Sequence, residues 1–276
     1  MNLAVLNLLS LPQKDGMRRS YMGQRFSKIP GNSEERLSPT EYAYGDNLRK
    51  ADWNTYAKTG ILHVHRSESY STPIVRMVHN DSPTMLYGRE TSKNAVQVAA
   101  YRSLSYVGVR GGSEVVLEKE SGNLRLKLSD IGNVQELTKP IRWGSTPEHD
   151  HVIAKISCNC VDSLIVFSVD MRTSGETLSL LRNLSVNNLL CILLIKDPSE
   201  LSLRPAGVLR FQDPLTGEIV KFDSSSRSLA AKYEELAFRK YLDVKNQIQE
   251  MGAFLIEMDT ASVVDDVLGS RLPRRV

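Results

Sequence analysis

The chain has 276 residues, 41% of them apolar and 24% charged, with 17 glycines, 11 prolines and three cysteines. That composition excludes a fibrous chain, a wholly disordered chain and a disulfide-framed secreted module, and it points to a reducing compartment, the cytoplasm. Thirty-five basic against 32 acidic residues leave a net charge of +3, too balanced to argue for nucleic acid as a partner.

In chain order, Met1 to Leu11 is apolar but short, with no basic residue ahead of it, and stops at Pro12. It is too short for a membrane span and lacks the layout of a secretory signal, so it reads as a short amphipathic helix docked on the body. Lys14, Arg18, Arg19, Arg25 and Lys28 follow against only Asp15, so residues 1–28 also offer a peripheral contact for an anionic membrane surface. Residues 12–47 are rich in Ser, Pro, Gly and Asn and read as irregular. Ile61 to His65 alternates like a strand, and Thr72 to Val78 is a second β-rich run. Residues 93–109 carry apolar side chains at helical spacing, and Gly111-Gly112 marks the helix end. Glu114–Glu118 and Leu124–Leu128 flank Ser121-Gly122-Asn123 as a hairpin.

A helix is expected near 148–158, then a buried strand at Ser163–Ser168, then a helix opened by the capping box Thr173-Ser174-Gly175-Glu176. The strand Leu189–Ile195, a hairpin at 208–211 and 218–222, a charged helix at 226–251, a strand at 253–257 and a last helix complete the chain. Strands alternating with helices predict a mostly parallel sheet covered on both faces. The domain reading is an N-terminal extension over residues 1–70 and an α/β domain over 71–276.

Ligands of such sheets sit beyond the carboxyl ends of the strands. Two such ends carry polar residues: Asn80-Asp81-Ser82-Pro83-Thr84 after the 72–78 strand, and Asp170 after the 163–168 strand. Thr146 lies in an intervening loop. Paired hydroxyls and a carboxylate suit a hard cation, or else merely cap the helices that follow. His149, His151, Cys158 and Cys160 are zinc-type ligands whose spacing converges poorly. No Walker sequence, Gly-x-Gly-x-x-Gly fingerprint or Gly-x-Ser-x-Gly elbow is present.

Tyr42-x-x-Gly45-Asp46-x-x-Arg49-x-x-Asp52-Trp53, followed by Ala57-Lys58-Thr59-Gly60 and the Asn80–Thr84 loop, resembles the signature of the bacterial family known as domain of unknown function fifty-eight, with Gly88, Lys93, Asp197-Pro198-Ser199-Glu200 and Thr216-Gly217-Glu218 as further matches. The resemblance implies a von Willebrand factor A-like, Rossmann-like α/β fold with a metal-ion-dependent adhesion site. In that site Asn80, Ser82, Thr84, Thr146 and Asp170 stand for the ligands. Asn80 replaces the expected first Asp, which makes the site degenerate, its Mg²⁺ binding weak or lost, and Asn80→Asp the change that restores it. The resemblance further implies a MoxR-type AAA+ ATPase as protein partner. The chain is thus expected to be a non-enzymatic interaction module, with a metal-dependent hydrolase on the same loops, or a peripheral membrane scaffold, as alternatives. Asp46, Arg49, Asp52 and Trp53 are expected to form a structural clasp, with Arg49 between two carboxylates three residues away on either side.

Overall fold

The longest apolar runs become central strands, because a strand covered on both faces needs no polar alternation. The computed structural model describes residues 1–12, 25–30, 40–42, 51–64, 68–71, 74–138 and 140–274. The chain divides into two compact units, Asp15–Pro73 and Met1–Lys14 together with Ile74–Val276.

The chain begins with one helical turn, α1 (Leu3–Leu6), in the larger unit. The smaller unit holds β1 (Arg25–Pro30), β2 (Thr40–Glu41), α2 (Trp53–Thr59), β3 (His63–Val64) and β4 (Glu68–Ser71). There β1 pairs antiparallel with β4, and β2 with β3. The alternation at 61–65 therefore marks a short ribbon strand and not a member of the parallel sheet. Period-2 patterning shows that a segment is extended but not which neighbour it pairs with.

The larger unit continues with β5 (Ile74–Val78), α3 (Lys93–Arg110), β6 (Glu114–Glu118), β7 (Leu124–Leu126), α4 (Val134–Leu137), α5 (His149–Asn159), β8 (Leu164–Val169), α6 (Gly175–Ser185) and β9 (Leu189–Lys196). It ends with α7 (Pro198–Leu201), β10 (Val208–Gln212), β11 (Ile219–Asp223), α8 (Arg227–Glu250), β12 (Phe254–Asp259) and α9 (Val264–Arg271). One six-stranded sheet has the order β12-β9-β8-β5-β6-β7. Its pairs are parallel except for the antiparallel edge strand β7. β10 and β11 form a separate antiparallel ribbon.

Successive side chains of the central strands enter opposite layers. Val166, Cys191, Leu193 and Ile195 join a core with Ala100, Tyr101 and Leu104 of α3 and Leu268 of α9. Ile165, Phe167, Ile192 and Leu194 join the other with Ile153 of α5, Leu181 of α6 and Ile248 of α8. The sheet is thus mostly parallel with helices on both faces, as its patterning predicts. Residues 1–12 belong to the first layer: Leu6 and Leu9 are fully buried there, Leu9 bridges Arg274, and Ser10 N–H donates to Pro273 O at 2.8 Å. Those two apolar side chains therefore face the core and not a membrane, and Lys14, Arg18 and Arg19 lie outside the described residues. Among the described residues, no helix is long and apolar enough to cross a membrane.

The chain winds outward from β5 through β6 to β7, then returns and winds the other way from β8 through β9 to β12. Strands β5 and β8 flank the topological switch point, where crossovers leave in opposite directions and open a crevice above the carboxyl ends.

Candidate functional site

Both polar strand exits meet at that switch point. Asn80 is buried; its Nδ2 donates to Ser168 O at 2.8 Å, and its Oδ1 accepts from Ser82 N–H at 3.0 Å. Ser82 caps the short 3₁₀ turn Pro83–Leu86, and Ser82 Oγ lies 3.0 Å from Thr84 Oγ1. The Thr84 hydroxyl donates in turn to Asp170, so the Ser82 proton points to Thr84. Asp170, fully buried, also accepts Arg172 N–H at 3.0 Å and the Thr173 hydroxyl at 3.2 Å. Thr173 is therefore engaged with Asp170, and Ser174 caps α6 instead, accepting Thr177 N–H at 3.0 Å.

At the centre of this network stands Lys93, the first residue of α3 and fully buried. Its Nζ donates to Asp170 Oδ2 and to Glu200 Oε1, both at 2.7 Å, and lies 5.8 Å from the centre of the Tyr87 ring. Burial works against all three charges. For Asp170 the Lys93 ammonium and three further hydrogen-bond donors overcome burial, holding its carboxyl below the ordinary range. For Lys93 the two carboxylates overcome burial, and its pKa rises. For Glu200 burial prevails over Lys93, and its pKa also rises. Asp170 is thus the principal counter-ion. Glu200 is held by the α7 capping box, where its Oε2 accepts Asp197 N–H at 3.0 Å.

These residues do not fit a divalent cation. Asn80 directs an amide NH₂ at a carbonyl, Ser82 and Thr84 hydrogen-bond each other, and an ammonium sits on the carboxylate that would hold the ion. Restoring the first Asp alone would leave the Lys93 charge in place, so Asn80→Asp cannot by itself rebuild the site. Thr146 is exposed before α5 and shares no hydrogen bond with Ser82, Thr84 or Asp170. Sequence patterning singles out Asn80, Ser82, Thr84 and Asp170 but misses the role of Lys93 and Glu200. A signal was available: a lysine at the first position of a helix opposes the macrodipole and calls for an acidic partner elsewhere.

Asp81 points the other way from Asn80, as alternation requires. It accepts Glu148 N–H at 2.9 Å, His149 N–H at 3.1 Å and His149 Nδ1–H at 2.7 Å, and so caps α5 across 67 residues. Burial acts to raise the Asp81 pKa, but the His149 imidazole and these amides overcome it and hold it below 3.8. A depressed carboxyl pKa contributes stability above its unfolded value that is lost as pH falls through the folded one. Asp81→Asn is therefore expected to cost about 1–3 kcal/mol at pH 7. The gap from the parent protein should narrow below about pH 4. Urea denaturation at pH 7 and pH 3 measures both.

His151 and Cys158 are exposed on α5 while His149 turns inward. Among the described residues no group of three or more His, Cys, Asp or Glu is placed to hold a metal. In the smaller unit Asp52 caps α2, accepting Thr55 N–H at 3.0 Å and the Thr55 hydroxyl at 2.7 Å, and Trp53 is 61% exposed. Asp46 and Arg49, the other half of the expected clasp, lie outside the described residues.

A cleft of about 290 Å³ opens beside Lys93's partners, lined by Thr84, Tyr87, Trp143, Glu200, Phe211 and Tyr233. Phe211 of the β10–β11 ribbon stacks on Tyr233 of α8, and Arg172 pairs with Asp213 at the ribbon's turn. Trp143, 62% exposed, stands at the rim.

Residues 38–130 match the model of a family described as "Protein of unknown function DUF58". That stretch is similar to the DUF58 family. It contains Asn80, Ser82, Thr84 and Lys93, whereas Thr146, Asp170 and Glu200 lie beyond the DUF58 match. No curated protein matches the chain. The solved structures similar to it include two Bacteroides proteins. One is the conserved hypothetical protein BatB from Bacteroides thetaiotaomicron, 9% identical over 72% of this chain and 96% of that one, with a TM-score of 0.38. The other is an aerotolerance-related membrane protein from Bacteroides fragilis NCTC 9343 with multiple mutations to serines, 12% identical over 65% and 98%, with a TM-score of 0.34.

Proposed function

We propose that this chain is a non-enzymatic protein-interaction module that docks a partner at the carboxyl edge of its sheet without a bridging metal ion. The observation that carries the reading is the Lys93 ammonium between Asp170 and Glu200. The positive charge that a metal would supply is built into the chain. Beside it, Tyr87, Trp143, Phe211 and Tyr233 give the aromatic surface on which interfaces concentrate their binding energy. Ser82 has no activating base, since its hydroxyl donates to Thr84 and no imidazole hydrogen-bonds to it among the described residues. The partner implied by the family resemblance, a MoxR-type AAA+ ATPase, is the one we assign to this surface.

Affinity capture of the co-expressed ATPase tests the reading. Trp143→Ala, at an exposed position, is expected to weaken capture by about 30-fold or more, the effect of an interface anchor. Chelation with EDTA should leave capture intact. Loss of capture on chelation, or phosphoester turnover that disappears with Ser82→Ala, overturns it.

A further inference from the structure

One wall of the cleft beside Lys93's partners is the β10–β11 ribbon. Its register sets Phe211 against Val220 and Gln212 against Ile219, which makes Asp213 and Glu218 the next opposed pair. Asp213 N–H donates to Glu218 O at 2.8 Å, so the pairing continues to that point. Alternation then places Phe211, Val220, Asp213 and Glu218 on one face, and all four line the cleft. Arg210 and Lys221 alternate to the opposite face. Val220 is 56% exposed, so this end of the inner face is unfilled. The other wall carries Trp143, also exposed, and a hydrogen bond from Gly144 N–H to Pro214 O at 3.0 Å ties its loop to the ribbon's turn.

Among the described residues, the ionised groups that line the cleft are Arg172, Glu200, Asp213 and Glu218. Three of them are neutralised, Glu200 by Lys93, and Arg172 and Asp213 by each other. The Glu218 carboxylate has no such partner among the described residues. It stands directly opposite Asp213, and like charges in that arrangement repel. Lys93 does not offset it, being fully buried with its charge held by Asp170 and Glu200. A cation entering the cleft would relieve the repulsion. A carboxylate would add to it, and an apolar group would leave it as it is.

We propose that this cleft seats an arginine side chain of the protein partner, its guanidinium stacked on the Trp143 indole and paired with Glu218. Val220 and Phe211 give the aliphatic stem an apolar wall. A guanidinium is planar, stacks on aromatic faces and meets a carboxylate with two parallel N–H bonds. A lysine ammonium is more strongly hydrated and offers neither the plane nor the fork. The inference rests on the reading of this cleft as a docking surface, and it adds the chemistry of the group that docks.

Titration of the full chain with a capped Gly-Arg-Gly peptide and its citrulline counterpart, followed by the indole N–H resonances, tests it. Citrulline keeps the shape of the guanidinium and removes its charge. Saturable binding of the arginine peptide is expected, with a dissociation constant of about 1 mM or tighter. The Trp143 resonance should move, with the Trp53 indole as reference. The citrulline peptide should bind about fivefold or more weakly. Glu218→Gln, at an exposed position, is expected to weaken arginine binding about two- to fivefold, the scale of an exposed ion pair. Glu218→Lys should weaken it about tenfold or more, since it sets like charges together. If Trp143→Ala weakens capture of the ATPase but the arginine peptide does not bind, the arginine assignment falls and the docking surface stands. If the peptide binds through Trp143 and Glu218 while no ATPase is captured, the assigned partner falls and the arginine site stands. No saturation, equal binding of the citrulline peptide, an unmoved Trp143 resonance, or binding indifferent to both Glu218 variants overturns the proposal.

Discussion

Replacing Lys93 with methionine is expected to destabilise the protein by about 3–5 kcal/mol at pH 7, the cost of leaving buried carboxylates without their cation. Methionine keeps most of the side-chain length, so the loss reports charge more than volume. The pH dependence separates the two further. In the parent protein Asp170 has a depressed pKa, so its contribution is present above about pH 4 and lost as pH falls. Without the ammonium, burial is the dominant influence and the Asp170 pKa moves above its unfolded value. The sign then reverses, and the variant gains stability as acid protonates the carboxyl. The difference between the two proteins should therefore shrink steadily from pH 7 to pH 4, as read from urea midpoints. A loss below about 1 kcal/mol would place the ion pair in the class of solvated surface pairs. The burial of Lys93 argues against that class.

Adding Mg²⁺ should stabilise the double variant Asn80→Asp, Lys93→Met while leaving the parent protein and Asn80→Asp alone unchanged. In Asn80→Asp the amide that donates to Ser168 O becomes a carboxylate facing a carbonyl, which costs about 1–3 kcal/mol. Lys93 still occupies Asp170 in that variant. Removing the ammonium as well leaves carboxylates at positions 80, 170 and 200 near the Ser82 and Thr84 hydroxyls, an all-oxygen set of the kind that hard cations take. An ion that binds only the folded state then adds about 2.7 kcal/mol at a hundred times its dissociation constant. Thermal melting across a magnesium series measures the gain, and a further Ser82→Ala change should reduce it. Equal stabilisation of the parent protein by Mg²⁺ would sink the idea.

The sheet was legible because burial on both faces forces apolar runs such as Leu164–Val169 and Leu189–Lys196, and hairpin and cap residues punctuate them. The strand exits were legible for the same reason, since Asp170 directly follows Leu164–Val169 and Asn80 comes two residues after Ile74–Val78. Helix boundaries that depend on one hydroxyl were less so: Ser174 and Thr173 are neighbours of one chemistry, and only the position of Asp170 decides which of them caps α6. The Lys93 pairs span 77 and 107 residues, and no local pattern carries a contact of that range.

The seating of Leu6 and Leu9 beside α9 bears on how the protein reaches its native state during synthesis. Ser10 pairs with Pro273 across 263 positions, so the first apolar side chains leave the ribosome long before the segment that covers them. At about 5–20 residues per second, that interval is on the order of 13–50 s. Until then, one end of the core under α3 is uncovered and sticky. Final consolidation of this layer thus waits for the α9 segment to be made, with a slow folding phase typical of contacts so distant along the chain.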